Sequence, residues 1–210
     1  MNPRTQVIAS AIIISWTVLA RISPMAAADP KKDVRPLVAV MPFAYKADNA
    51  EYAGIEKGLA DALASELVKR KKFRMIERNR IDVLLGEIKL QQTGLVDPSA
   101  AAQIGKQLGA EAYILGSIVS VSARDEWRSV KFAEKTTRWV DVEAEAKLVD
   151  IQTGEMLASG RAIGKSKTAE KHAFGGKAGE LATVKSMTDK AVQNLTEKLA
   201  NDLVKTYSRK

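Results

Sequence analysis

One acidic stretch of the sequence has the residue types and spacing that acid–base or metal chemistry needs. Asp141, Glu143 and Glu145 alternate along the chain, and this spacing places three carboxylates on one face of a strand. Paired carboxylates serve as catalytic acids and bases, and clusters of them bind Ca²⁺. Apolar residues fill the positions between them, however, as is typical of a strand with one solvated face. We favour the solvated strand.

A second stretch, rich in glycine and lysine, contains the single histidine, His172. Zinc sites join histidine to cysteine or to further histidines, and the sequence offers neither partner. Gly175, Gly176 and Lys177 do not have the spacing of a phosphate-binding loop, and no serine stands in a nucleophile-elbow motif. The sequence therefore predicts no catalytic, metal or cofactor site and no enzymatic activity.

The remaining chemistry is that of protein recognition, in and just beyond residues 122–137. Trp127, Arg128, Phe132 and Trp139 lie there among other arginines and lysines. Protein interfaces are enriched in large aromatic residues and in arginine. We predict that these four residues bind a partner at a hairpin tip. The alternative is that Phe132 and Trp139 fold back on the sheet.

The first half of the chain alternates between strand and helix patterns. Residues 37–43 are apolar throughout, as in a strand buried on both faces, and residues 73–77 form a second short strand. Between them, apolar residues recur every fourth position and predict a helix that ends in the basic residues 69–72. These stripe residues are Ile55, Leu59, Leu63 and Leu67.

Two further helices and a third strand follow. Asn79 is a candidate cap for a helix that stops at Thr93 and Gly94. Asp97 before Pro98 is a strong helix-start signal, and Gly109 suits the end of that helix. Residues 112–121 predict the third strand.

The second half of the chain predicts a hairpin, a loop and a final helix. Residues 136–151 alternate between apolar and charged side chains, residues 152–155 suit a turn, and residues 156–167 form the partner strand. Residues 168–179 are a Gly- and Lys-rich loop before the last helix, whose stripe is Val184, Met187, Ala191, Leu195, Leu199 and Leu203. The fold class is α/β, a mixed sheet with helices packed against it.

The N-terminal residues resemble a secretory signal peptide over residues 1–28. Arg4 precedes an uncharged apolar run, residues 7–20, and Ala26 and Ala28 provide a small-x-small cleavage site. Residues 29–36 form an extended lead-in, and residues 37–206 form one domain. With no cysteine in the chain, the domain folds without disulfides. The net charge of +8 suits polyanions, but export excludes nucleic acid, and the basic residues are spread along the chain.

Several segments together resemble the CsgG family, whose founding members are periplasmic domains of the curli secretion channel. They are VAVMPF, GLADALASELVKRKKFRMIERNRIDVLLGE (residues 58–87), QIGKQLGAEAYILGSI (residues 103–118) and AKLVDIQTGEMLASG (residues 146–160). Their order and spacing cover nearly all of the chain after Pro36. The resemblance implies a CsgG-like periplasmic domain. Founding members carry lipid on a cysteine, which this sequence lacks.

In the curli channel, two long hairpins inserted into this domain build a membrane pore. By resemblance, they fall here near residues 120–140 and 161–183. A lipid-facing strand needs about 9–11 residues that are apolar at alternate positions. In residues 122–130, one phase contains Arg124, Glu126 and Arg128, and the other contains Asp125. We therefore expect short hairpins that do not span a membrane.

The sequence thus predicts an exported, non-enzymatic CsgG-like protein that acts in envelope or secretion assembly. Its expected location is the periplasm, in association with the outer membrane, and its expected partners are envelope proteins and further copies of itself, without integral membrane insertion. Two alternatives stay open: an outer-membrane secretion pore subunit of the curli type, and an LpoB-like regulator of cell-wall synthesis.

Overall fold

Strands and helices alternate in the first half of the chain, and three long strands and a long helix make up the second half. The computed structural model describes residues 33–87, 97–173 and 175–207. Its strands are β1 (Leu37–Val40), β2 (Ala44–Tyr45), β3 (Arg74–Met75), β4 (Ala112–Val130), β5 (Ala133–Asp150), β6 (Met156–Ala173) and β7 (Gly176–Ala178). Its α-helices are α1 (Ile55–Arg70), α2 (Arg78–Glu87), α3 (Pro98–Gln107) and α4 (Val184–Thr206).

These strands form one mixed sheet in the order β3-β1-β4-β5-β6-β7, with β2 also paired to β4. The pairs of β1 with β3 and β4 are parallel, whereas β4, β5, β6 and β7 follow one another in antiparallel fashion. The predicted α/β class with a mixed sheet and packed helices is confirmed.

Helices cover both faces of the sheet at its base. On one face, α1 and α4 pack into a cluster that includes Leu63 and Leu199, and on the other, α2 and α3 contribute Ile81 and Ile104 to a second cluster. β1 lies between the two: Val38 belongs to the first cluster and Ala39 to the second. The predicted burial of the first strand on both faces is therefore confirmed.

Local signals place both ends of α3 correctly. Asp97 accepts hydrogen bonds from the backbone N–H groups of Ser99 and Ala100, and Pro98 opens α3. Gly109 follows this helix with a φ of +68°. The expectation for Asn79 is wrong, because α2 begins at Arg78 and Asn79 is its second residue. The Asn79 amide donates a hydrogen bond to Glu77 instead.

The three long strands extend well beyond their predicted ends. β4 continues to Val130, β5 begins at Ala133, and β6 continues to Ala173 through the first half of the predicted 168–179 loop. The expectation of short hairpins is therefore wrong. Backbone hydrogen bonds and cross-strand ion pairs hold these segments together. Neither interaction requires apolar residues at alternate positions, so the sequence shows no strand pattern there.

Two predictions fall on parts of the chain that the structure does not describe. The signal peptide (1–28), with the first part of the lead-in, and the end of the second helix at Thr93 and Gly94 lie outside the described residues. Among the described helices, none combines the length and apolar character that crossing a membrane requires.

Candidate partner-binding surface

The predicted partner-binding residues lie on the outer part of β4, β5 and β6, which we call the distal extension (residues 120–130, 133–142 and 164–173). Its β4–β5 hairpin closes with Lys131 and Phe132 between the paired residues Val130 and Ala133. Ala133 in turn lies opposite Ala173. The β4–β5 turn and the start of the β6–β7 turn therefore lie side by side at the end of the sheet.

The extension has two different faces, because side chains alternate along each strand. Residues paired across strands share a face, so Val121, Val142 and Gly164 lie together, and α4 packs on them. We call this the covered face. The opposite face is the open face. Near the base α2 and α3 cover it through Tyr113, and farther out its side chains are polar.

Strand register separates the four predicted partner-binding residues. Trp127 pairs with Thr136 and lies on the covered side of the ribbon, beyond the end of α4, whereas Arg128 and Trp139 lie on the open face. Phe132 lies in the turn between the strands. Trp127 and Phe132 are 63% and 73% exposed. The four residues therefore form no single patch, although Arg128 and Trp139 share a face.

Trp139 lies beneath two cationic side chains on the open face. The Lys167 ammonium is 4.2 Å from the ring centroid and the Arg124 guanidinium 5.7 Å, both within range of a cation–π interaction. Arg128 instead binds Glu126 through two hydrogen bonds of 2.9 and 2.6 Å, and this holds the pKa of Glu126 below its usual range. Trp139 therefore packs on the sheet itself, as in the alternative reading of the sequence.

The three alternating carboxylates also lie on the open face, each with a partner. Asp141 lies 3.1 Å from Arg124, Glu143 lies 2.7 Å from Arg161, and Glu145 accepts a hydrogen bond from Ser117. In the part of the chain that the structure describes, no group of three or more His, Cys, Asp or Glu residues is arranged to hold a metal ion. These carboxylates form cross-strand polar pairs.

An Arg138–Asp125 pair, which sequence analysis missed, fixes the covered side of the extension. Two hydrogen bonds of 2.7 Å join the Arg138 guanidinium to the Asp125 carboxylate, and a third, of 3.1 Å, runs to the carbonyl of Ala182 just before α4. The hydrogen bonds from Arg138 lower the pKa of Asp125. The opposite charges were visible in the sequence, but their pairing depends on register.

His172 belongs to a small charged cluster near the turn. Its Nε2 lies 2.6 Å from Glu170, whose other oxygen lies 3.0 Å from the Lys177 ammonium. These contacts, with the His172 hydrogen bond first, lower the pKa of Glu170. His172 and Lys177 lie on paired strands, where the sequence predicted a loop.

A family comparison identifies the chain. The family described as curli production assembly/transport component CsgG matches residues 24–209. The chain belongs to the CsgG family. The resemblance noted in the sequence is thereby confirmed over nearly the whole chain. A comparison with curated proteins gave no match.

Solved structures similar to this CsgG-family protein come from several bacteria. The C-terminal domain of LpoB from Salmonella enterica is 18% identical, with 61% of this chain and 81% of that chain covered and a TM-score of 0.44. A putative neuraminyllactose-binding hemagglutinin homolog from Helicobacter pylori is 15% identical, with coverages of 83% and 86% and a TM-score of 0.48. The PelC dodecamer from Paraburkholderia phytofirmans is 10% identical, with coverages of 79% and 89% and a TM-score of 0.39.

Proposed function

We propose that this CsgG-family protein is a non-enzymatic protein of the periplasm that acts in envelope or secretion assembly. It does so by binding envelope proteins and further copies of itself. Membership of the CsgG family over residues 24–209 carries the proposal. The described residues add a long sheet extension with strand edges, which are surfaces that proteins use to bind one another.

The outer edge of β4 is the place where we expect a partner strand to add. Within the described ranges, the residues of β4 beyond Ile118 pair only with β5, which lies on the side of β4 away from this edge. An unpaired strand edge presents a row of backbone donors and acceptors that another strand can bind. Charged side chains along this edge, among them Arg124 and Arg128, discourage unspecific pairing.

The opposite edge of the sheet, along β6, is covered by α4 between Ser159 and Lys165 and by β7 at residues 171–173. The Thr206 hydroxyl binds both the N–H and the carbonyl of Ser159, and the side chains of Lys198 and Asn194 donate to the carbonyls of Ile163 and Lys165. Side chains that occupy edge carbonyls compete with an incoming strand. The β4 edge is therefore the more accessible of the two.

The charges of the extension favour this proposal over a pore subunit. Arg124 and Glu126 lie on the open face, and Asp125 and Arg138 lie on the other. Charged side chains facing lipid at mid-membrane are destabilising by about 2–4 kcal/mol for arginine. Both faces of the hairpin thus suit water or a protein partner better than the interior of a bilayer.

Site-specific photo-crosslinking in cells tests the proposal. A photoreactive amino acid replaces Ser122, which is exposed on the β4 edge, and a matched variant carries it at Ser65, exposed on α1. We expect a discrete crosslinked species at Ser122, to an envelope protein or to a second copy, and none at Ser65. Equal crosslinking at the two positions, or none at Ser122, contradicts the proposed edge. Capture of a cell-wall synthase would instead favour the LpoB-like alternative.

A further inference from the structure

Three large apolar side chains are exposed together at the end of the β4–β5 hairpin. Trp127 is 63% exposed, and Val130 and Phe132 are each 73% exposed. They fall within six consecutive residues, whereas the other large exposed apolar residues of the described chain are scattered along it, among them Val68, Val83 and Met156. We call residues 127–132 the hairpin tip.

The apolar side chains of the hairpin tip do not form a flat patch. Trp127 lies on the covered side, Val130 on the open side, and Phe132 in the turn. Standard protein interfaces bury about 800 Å² on each side over a broad contact. A protein partner would therefore need a pocket that surrounds this convex end. The fluid surface of a lipid bilayer surrounds such an end without a preformed pocket. Aromatic side chains are enriched at the interface between lipid and water.

Basic side chains surround the hairpin tip. Residues 124–139 and 165–178 contain nine basic and four acidic residues, a net charge of +5 with His172 neutral. Three of the acids are already paired: Asp125 with Arg138, Glu126 with Arg128, and Glu170 with Lys177. Arg124 is paired with Asp141, just outside these ranges, and the positive charge that remains is available to an anionic surface.

Strand register brings three basic residues into one row across the open face. Arg128 lies opposite Lys135, and Lys135 lies opposite Lys171 on the next strand. Glu126 offsets the charge of Arg128. Lys135 and Lys171 are like charges directly opposite each other, which destabilise a sheet, and a bound anion removes that penalty. The row lies two residues, or roughly 7 Å, behind Val130 and Ala133. Interfacial segments enter the boundary between headgroups and acyl chains by about 5–10 Å.

We propose that the hairpin tip docks into the surface of a lipid bilayer with anionic headgroups. Phe132 and Val130 enter the acyl boundary, and Lys135 and Lys171 of this row bind the headgroup phosphates. Trp127 lies at headgroup level when the hairpin is tilted. This contact is peripheral and leaves the β4 edge accessible, so it can coexist with the proposed protein partner.

Vesicle binding by the purified chain without residues 1–28, the expected signal peptide, tests the docking surface. We expect co-sedimentation with vesicles that contain phosphatidylglycerol, weaker binding as salt is added, and little binding to vesicles of phosphatidylcholine alone. The double variant Lys135→Gln/Lys171→Gln should bind the anionic vesicles at least about tenfold more weakly. Its matched control, Lys57→Gln/Lys190→Gln, removes the same charge from exposed helix positions and should bind like the parent.

A second set of variants tests how much the apolar side chains of the hairpin tip contribute to vesicle binding. Trp127→Ala/Phe132→Ala should lose most of the binding, whereas Val83→Ala/Met156→Ala, at exposed positions elsewhere, should not. Bilayers with brominated acyl chains should quench the fluorescence of the parent, and Trp127→Phe should remove most of that quenching.

Equal vesicle binding by the parent and both tip variants would overturn the proposal, because another part of the chain would then hold the membrane. Absence of binding to phosphatidylglycerol vesicles would overturn it as well. Loss of photo-crosslinking in the Trp127→Ala/Phe132→Ala variant, together with unchanged vesicle binding, would assign the tip to a protein partner instead. Circular dichroism and thermal melting check that each variant is folded.

Discussion

At the scale of single residues, one glycine determines how closely α4 approaches the sheet. A Cβ at Gly164 would lie 1.9 Å from the carbonyl oxygen of Ala191 and 2.7 Å from the Cβ of Leu195. Both neighbours belong to α4, and Leu195 is fully buried. The backbone of the helix therefore packs directly on the backbone of β6, with no space for a side chain between them.

Gly164→Ala should therefore destabilise the protein strongly. Because the closest neighbour is helix backbone, α4 must move, and we expect a loss near the upper end of the roughly 1–3 kcal/mol typical of overpacked cores. Chemical denaturation measures this loss. Gly58→Ala is the matched control: Gly58 is inside α1 and has nothing within 4 Å of an added Cβ. That variant should gain about 0.5–1 kcal/mol. Equal stabilities would mean that α4 does not approach β6 as closely as described.

At the scale of elements, cross-strand polar pairs replace an apolar core in the distal extension. The apolar core reaches Val121 on β4 and the fully buried Val140 on β5. Farther out, the Arg138–Asp125 pair connects both strands to the segment before α4. Because Asp125 is 44% exposed, this pair contributes at most about 1 kcal/mol. It orients the hairpin more than it stabilises the domain.

The pair also gives the extension an acid-sensitive contact. A carboxyl group whose pKa is lowered by folding stabilises the folded state above its unfolded pKa, about 3.9 for Asp, and that contribution is lost as the pH falls through the folded value. Arg138→Gln should move the pKa of Asp125 upward, as followed by carboxyl-carbon NMR. Arg161→Gln, which removes the partner of Glu143 instead, should leave the Asp125 titration unchanged. An unchanged Asp125 titration in Arg138→Gln would show that the pair does not form in solution.

At the scale of the whole molecule, charge and apolar exposure are distributed unevenly over the described sheet. The base of the sheet is covered by helices on both faces, and the distal extension combines charged faces, an accessible β4 edge and an apolar tip. The proposed protein partner and the proposed bilayer surface use different parts of this extension.

Cell fractionation tests this arrangement. We expect any protein found with membranes to be released by high salt without detergent, because the proposed attachment combines a shallow apolar tip with electrostatic attraction that salt screens. An outer-membrane pore protein of the same cells, treated in parallel, should remain with the membranes. Release only by detergent would contradict peripheral docking and restore the pore subunit as the better interpretation.

The sequence by itself determined the helical core and the boundaries of α3. The apolar stripes of α1 and α4 placed Leu63 and Leu199 in the core, and Asp97 with Pro98 fixed the start of α3. The turn with Gly154, at a φ of +72°, was also predicted correctly. Each of these signals acts within a few residues, through helix periodicity, capping or turn conformation, so a local pattern is sufficient. The family motifs can also be recognised from the sequence alone, because they follow one another in order along the chain.

Only the tertiary structure decided the arrangement of the candidate site. The long strands of the extension depend on pairing between segments far apart in sequence, and their charged residues resemble a loop when each segment is considered alone. Register then decides which side chains share a face, because a shift of one residue reverses every side chain of a strand. For this reason Trp127 and Arg128, neighbours in sequence, lie on opposite sides, while Arg128, Lys135 and Lys171, distant in sequence, form one row.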